Sequence, residues 1–512
     1  MLRRVSACTL AKQSIYIFSR GCGPGYHLPA SEIIPKFSTM ALSLVAAGRQ
    51  KLRSTPFFKS IDSRIRERLK TARVADGFKI GRLSAAACAT VGRDAGAFLE
   101  SLGTTARISG RTQRRIIAGM DSFAPLWQAW QSAVTRCEEV FWNGGADCPL
   151  PADARLQLHQ DRRTRAEACL RPLAHFGFLL KKGVVPAVKF AIPAPGPVLE
   201  RFKEAVDDPA VLYGPPAEFP RIETSHAITG PGGREYLIRY PSPSRLMRDT
   251  VYARIFDPGS VAAGRPTLIF SGGFGMAYDQ LTYWPEEDHL GRFLSARGVR
   301  VALIESPWHG RRTCRGYSSG EPFLATAPAG CFAFLSAQVQ ETAVLIDWAR
   351  KSGASAVVVA GMSLGGMVTE QLVARCKHWP ENLRPDAALL GATSHYAEQV
   401  VRESALAKKL GLPAALRAAG WNDQTIHRLR PIFNPSSGPG INPERIIAVL
   451  GKYDSVVPFS YGIETAREWR LPAENITVWN AGHLGVLKDL IRSRQGQDLF
   501  LRTLEKALLP AA

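Results

Sequence analysis

Ser355-Ala356-Val357-Val358-Val359-Ala360-Gly361-Met362-Ser363-Leu364-Gly365-Gly366 is a short apolar, β-branched run that enters Gly-x-Ser-x-Gly and continues into a helical pattern from Met367 to Arg375. The order strand, serine, helix carries more than the pentapeptide alone. A turn this tight crowds the backbone on both sides of the serine, so Gly361 and Gly365 are the residues that let it close. The pattern predicts a Ser363 hydroxyl lifted clear of a sheet, with the N-terminus of the next helix beneath it.

A serine hydroxyl is a poor nucleophile near neutral pH; it needs a base, and the base needs an orienting acid. Two later stretches offer them at strand ends. Ile446 to Leu450 runs into Gly451-Lys452-Tyr453-Asp454, and Ile476 to Trp479 runs into Asn480-Ala481-Gly482-His483. The chain order Ser, Asp, His is the one expected when such a turn, an acid and a base sit on one sheet.

With those motifs in hand, residues from about 234 to 510 resemble the α/β-hydrolase superfamily. The resemblance implies Ser363 as nucleophile, His483 as general base and later acid, and Asp454 as the residue that holds the imidazole tautomer. It also implies an oxyanion hole of backbone donors, from Leu364 and from the turn Gly272-Gly273-Phe274-Gly275, with Gly273 and Phe274 as candidates. Glycines after a buried strand can equally do no more than close a turn. A finer similarity, to the group around α/β-hydrolase domain-containing protein eighteen, is carried by Glu305-Ser306-Pro307-Trp308-His309-Gly310-Arg311-Arg312 and by Asp454-x-x-Val457-Pro458. It implies mitochondria and lipid deacylation. The long basic N-terminal region departs from that group.

The remaining polar candidates read mainly as structural. His309 lies in a loop near the expected site, where a His-Gly turn is common for structural reasons. His395 and Glu398 follow the strand Ala387 to Gly391, the alternative place for a triad acid, but Asp454 is better placed by its turn. Arg311, Arg312 and Arg315 could meet an anionic head group, although a solvated loop explains them.

Around the serine stretch, strand and helix patterns alternate. Glu235 to Tyr240 and Thr250 to Phe256 read as paired strands, followed by Pro266 to Phe270 and Val299 to Glu305 as strands and Cys331 to Arg350 as a long helix. Leu484 to Leu508 closes the set as one helix. The expected fold class is α/β: a mostly parallel sheet with helices on both faces, a small helical cap at about 395–442, and a basic, mainly helical N-terminal region. In the cap, Leu410, Leu412, Leu416 and Trp421 either line a pocket or pack the cap onto the core. The implied division is 1–39 as a targeting or disordered segment, 40–229 as the basic region with its connector, and 230–512 as the hydrolase domain.

The formal charge of +21 concentrates at the start, where Met1 to Met120 holds 21 Lys and Arg against 6 Asp and Glu. Such an excess suits targeting or contact with an anionic membrane surface rather than the serine chemistry. No nucleic-acid module accompanies it, so nucleic acid is not an expected partner. Residues 1 to 31 have no Asp or Glu and contain several Arg and Ser, as a mitochondrial transit peptide does; the alternative is an unstructured start with Met40 as initiator. Phe123 to Trp142 follows a helical period, with Trp127, Trp130, Val134 and Phe141 near one face. Nine dispersed cysteines without a C-x-x-C pair indicate reduced thiols and neither a zinc site nor a disulfide framework. No run of 18 apolar residues predicts a membrane span. The expectation is a mitochondrial or cytoplasmic serine hydrolase, not secreted, with no cofactor and no metal, cleaving a small-molecule or lipid ester through an acyl-enzyme; the alternatives are an acyltransferase using the same triad and a non-catalytic binding or scaffold protein.

Overall fold

Continuous apolar runs form strands when both faces of a sheet are covered, and the centre of this chain is built from them. Every residue of β5 (Thr267–Ser271), β7 (Val357–Met362), β8 (Ala387–Gly391) and β9 (Ile446–Gly451) is buried. The computed structural model describes residues 110–143, scattered positions within 154–168, and 188–509 apart from 231–232, 260–263, 277–289 and 436–437. The readings made for residues 1–109, including the targeting segment and most of the basic excess, lie outside the described residues.

The remaining strands are β1 (Glu223–Thr224), β2 (Ile228–Gly230), β3 (Gly233–Pro241), β4 (Thr250–Asp257), β6 (Arg300–Ile304) and β10 (Ile476–Trp479). Their order across the sheet is β1-β3-β4-β6-β5-β7-β8-β9-β10, with β2 also on β3. Pairing is antiparallel from β1 through β4 to β6 and parallel from β6 through β5 to β10. The chain steps from β5 to β6 on one side and returns to β7 on the other. That reversal puts a crevice at the carboxyl ends of β5 and β7, where ligands of open α/β sheets bind.

Alternate residues of the central strands feed two cores. Ile269, Val357 and Val359 join the core with helices Ala329–Lys351 and Leu364–Arg375, whereas Leu268, Phe270 and Val358 join the one with Leu490, Leu499 and Phe500. Each fully buried side chain of this size contributes roughly 1.5–3 kcal/mol. The first core reaches back before the sheet to Val198, Phe202 and Tyr213. The architecture is α/β: a mostly parallel sheet with helices packed on both faces.

Several elements differ from the sequence reading. The closing helix is two, His483–Arg492 and Arg494–Leu508, because Ser493 turns out of the first and caps the second by accepting the Gly496 N–H at 3.0 Å. The aromatic helix runs from Gly110 to Asn143; Trp130 and Phe141 are buried, while Trp127 and Val134 are half-buried. It is tied to the sheet by the His226 N–H on the Phe141 carbonyl at 2.8 Å and by the Arg239 guanidinium over the Trp142 ring. Helix Ala329–Lys351 is long and apolar enough to cross a membrane by length and composition, and most of its side chains are buried inside the fold.

The cap comprises short helices between Ala397 and Phe433. Leu412, Leu416 and Trp421 are buried in the first core and Leu410 packs against it, so of the two sequence readings these residues take the packing one. The Trp421 indole N–H also donates to the Pro193 carbonyl at 2.8 Å. Arg312 does not sit in a solvated loop. It is wholly buried, with Nε 2.8 Å from Asp249 and Nη2 2.7 Å from Glu341. Arg311 pairs with Glu305 and Glu138, whereas Arg315 is exposed.

Candidate active site

The turn after β7 closes for the reason its glycines suggested. A Cβ on Gly361 would lie 2.1 Å from the Gly365 carbonyl oxygen, and one on Gly365 would lie 2.2 Å from the Ser271 oxygen and 2.4 Å from that of Gly272. Gly366 is equally hemmed in, 2.7 Å from the Thr393 Cβ. Between them Ser363 adopts φ 55° and ψ −121°, a conformation costly for a residue with a Cβ. Its own N–H is held by the Gly391 carbonyl at 2.8 Å, so the strained turn is anchored to the end of β8.

The obstacles around Gly365 are backbone atoms at the end of β5, which cannot rotate away. Gly365→Ala is therefore expected to lower stability by about 1–3 kcal/mol, read as a drop in the denaturant midpoint at unchanged m-value. An alanine variant as stable as the parent would mean that the β5 end yields at no cost.

Asp454 and His483 converge on this serine from the ends of β9 and β10. The turn after β9 is fixed by its backbone: Lys452 N–H donates to the Trp479 carbonyl, Tyr453 N–H to that of Ala481, and Asp454 N–H to that of Gly451. Asp454 Oδ1 accepts the N–H groups of Val456 at 2.8 Å and Val457 at 2.9 Å. Its other oxygen, Oδ2, is 2.7 Å from His483 Nδ1, and His483 Nε2 is 2.8 Å from Ser363 Oγ. All three residues are buried. A carboxylate can only accept, so Nδ1 carries the imidazole proton and Nε2 is left to accept from the serine hydroxyl.

The candidate oxyanion donors lie on the other side of the serine. A Cβ on Gly273 would come 3.2 Å from the Ser363 Cβ, so this turn passes directly against that serine. The Gly273 N–H itself donates to the thioether sulfur of Met276 at 3.1 Å, whereas the Phe274 N–H has no protein acceptor among the described residues. Leu364 is the first residue of its helix, where an N–H has no intrahelical acceptor. Nothing in the sequence pointed to Met276, because a methionine after a glycine-rich turn has no distinctive pattern.

The other polar candidates lie elsewhere. His395 bonds Glu468 at 2.8 Å and Glu398 pairs with Arg402, so neither takes the acid position beside His483. His309 bonds the turn at Gly275 and the Pro307 carbonyl. Among the described residues no group of His, Cys, Asp and Glu could hold a metal ion.

No protein-family model and no curated protein matches the chain. Solved structures do. An acetyl xylan esterase from Paenibacillus sp. R4 is similar at 14% identity over 62% of this chain and 96% of its own, with a TM-score of 0.39. Brefeldin A esterase, a bacterial homologue of human hormone-sensitive lipase, is 17% identical over 64% of this chain and 91% of its own, at a TM-score of 0.35. An S-formylglutathione hydrolase from Agrobacterium tumefaciens is 15% identical over 55% and 98%, at 0.36.

Proposed function

We propose that the chain is a serine hydrolase of carboxylic esters, acting through an acyl-enzyme, with Ser363, His483 and Asp454 as its triad. One observation carries the reading: the unbroken series Asp454 Oδ2, His483 Nδ1, His483 Nε2, Ser363 Oγ, with contacts of 2.7 and 2.8 Å. Ser363 Oγ attacks the ester carbonyl carbon while its proton passes to His483 Nε2. The carbonyl oxygen becomes an oxyanion against the N–H groups of Leu364 and Phe274. Collapse of that intermediate breaks the bond to the alcohol oxygen, which takes the proton from His483 and leaves. Water then gives a proton to the same nitrogen and attacks the acyl carbon, releasing the acid and restoring the serine.

A hydrophobic or lipid-like acyl group is the substrate class this reading favours. Phe274, on the candidate oxyanion turn, lies beside Phe323, and Phe323 beside Phe334, so an apolar cluster of the core reaches up to that turn. The finer sequence similarity to the group around α/β-hydrolase domain-containing protein eighteen points to the same class. The test is a fluorophosphonate probe on the purified full chain together with p-nitrophenyl esters of increasing acyl length. The expected result is covalent labelling at Ser363 and faster turnover of medium or long esters than of acetate. Absence of both labelling and turnover would remove the hydrolase reading; turnover of acetate alone would remove the acyl class.

A further inference from the structure

His309 does not touch the triad, yet it is fully buried and both of its ring nitrogens are engaged. Nδ1 is 2.8 Å from the Pro307 carbonyl oxygen. A carbonyl cannot donate, so Nδ1 bears the proton and Nε2 presents a lone pair. That lone pair accepts the backbone N–H of Gly275 at 2.9 Å. Burial holds the ring neutral, pushing its pKa down to about 4; the bond to Pro307 opposes the shift and the nearby Arg312 charge adds to it.

The seat is shaped for this ring. The Phe274 ring meets it edge-on at 6.1 Å and that of Phe334 at 5.8 Å. On a third side runs Gly320, at φ 78°, where a Cβ would lie 2.5 Å from Nε2. Within the turn, Gly273 N–H goes to Met276 Sδ, Gly275 N–H to His309, and Met276 N–H to the Gly273 carbonyl at 3.0 Å. Among the described residues the Phe274 N–H donates to no protein acceptor, and it belongs to the turn that lies against Ser363.

We propose that His309 is a positioning residue for the oxyanion hole: its Nε2 anchors Gly275 so that the preceding peptide presents the Phe274 N–H to the developing oxyanion. The inference rests on the hydrolase reading above. His309 contacts no reacting atom; it acts through the turn, whose donor must lie within hydrogen-bonding reach of the oxyanion and not of the ground-state carbonyl.

Two amide substitutions separate the ring's two bonds. In His309→Asn the amide nitrogen takes the place of Nδ1, keeping the donor to Pro307 and leaving Gly275 without an acceptor. In His309→Gln the amide oxygen reaches the place of Nε2 and accepts from Gly275. The Asn variant should lose about 10- to 100-fold in kcat at nearly unchanged KM, the scale of a donor misplaced by roughly 1 Å. The Gln variant should recover most of that rate, and exchange of the Gly275 amide proton should be fast in Asn and slow in Gln. Equal loss of kcat in both variants, or a loss that tracks their melting temperatures, would overturn the proposal. A parent protein that neither labels nor turns over esters would instead remove the hydrolase reading, and this inference with it.

Discussion

Ser363→Ala is expected to abolish probe labelling and to lower ester turnover by on the order of 10⁵-fold or more, the scale seen when the nucleophile of a serine triad is removed. The loss is chemical, because the turn does not depend on the side chain. The backbone N–H of residue 363 stays on the Gly391 carbonyl, its carbonyl still accepts from Met367, and the glycines on either side still fit. Ser363→Gly separates chemistry from strain. It should be as inactive as the alanine variant, but φ 55° suits glycine and strains alanine. Relief of roughly 1–3 kcal/mol of backbone strain, less about 0.4–1 kcal/mol for the freer unfolded chain, makes the glycine variant the more stable by about 1 kcal/mol. Chemical denaturation of the two variants reads that difference directly. Residual turnover in either variant above about one part in a thousand of the parent would assign the chemistry to a different nucleophile.

The parts of this site that could be read from the sequence are those written in local pattern. Val357 to Ala360 is apolar and β-branched because both faces of β7 are covered, and the glycines that follow have contacts only a hydrogen can occupy. Asp454 and His483 were legible because each ends a buried or half-buried strand in a parallel run, which delivers their side chains to one edge. What escaped depends on partners far along the chain. Arg312 looks like one of several exposed arginines until Asp249, 63 residues away, and Glu341, 29 residues away, enclose it. Ser493 looks like an ordinary position in a long amphipathic helix, but its hydroxyl accepts from Gly496 and redirects the chain. His309 could be found as a histidine near the site, whereas its partner, the N–H of a glycine 34 residues earlier, is not encoded in any spacing. The basic N-terminal residues were legible as charge alone, and charge does not specify a fold.

Asp454→Asn is the sharper test of how the proposed triad is held, because the two oxygens of this carboxylate have different partners. Oδ1 takes two backbone N–H groups, from Val456 and Val457, and Oδ2 faces His483 Nδ1. An asparagine can meet the backbone donors only with its amide oxygen, which forces its NH2 toward the imidazole. Two donors cannot face each other, so Nδ1 gives up its proton and the ring carries it on Nε2. That nitrogen can then no longer accept from Ser363. Turnover is expected to fall by about 10⁴-fold through the wrong tautomer, with KM and stability close to those of the parent. Asp454→Ala makes the contrast: it strands the N–H groups of Val456 and Val457 in a buried turn, and each unsatisfied donor costs about 1–3 kcal/mol. A stable asparagine variant and a destabilised alanine variant, both slow, identify Asp454 as the orienting acid. Nitrogen NMR of the ring in Asp454→Asn should find the proton on Nε2. An asparagine variant that keeps most of its rate would mean that His483 is held by another acid, and the carboxylate at 454 would then be a turn residue alone.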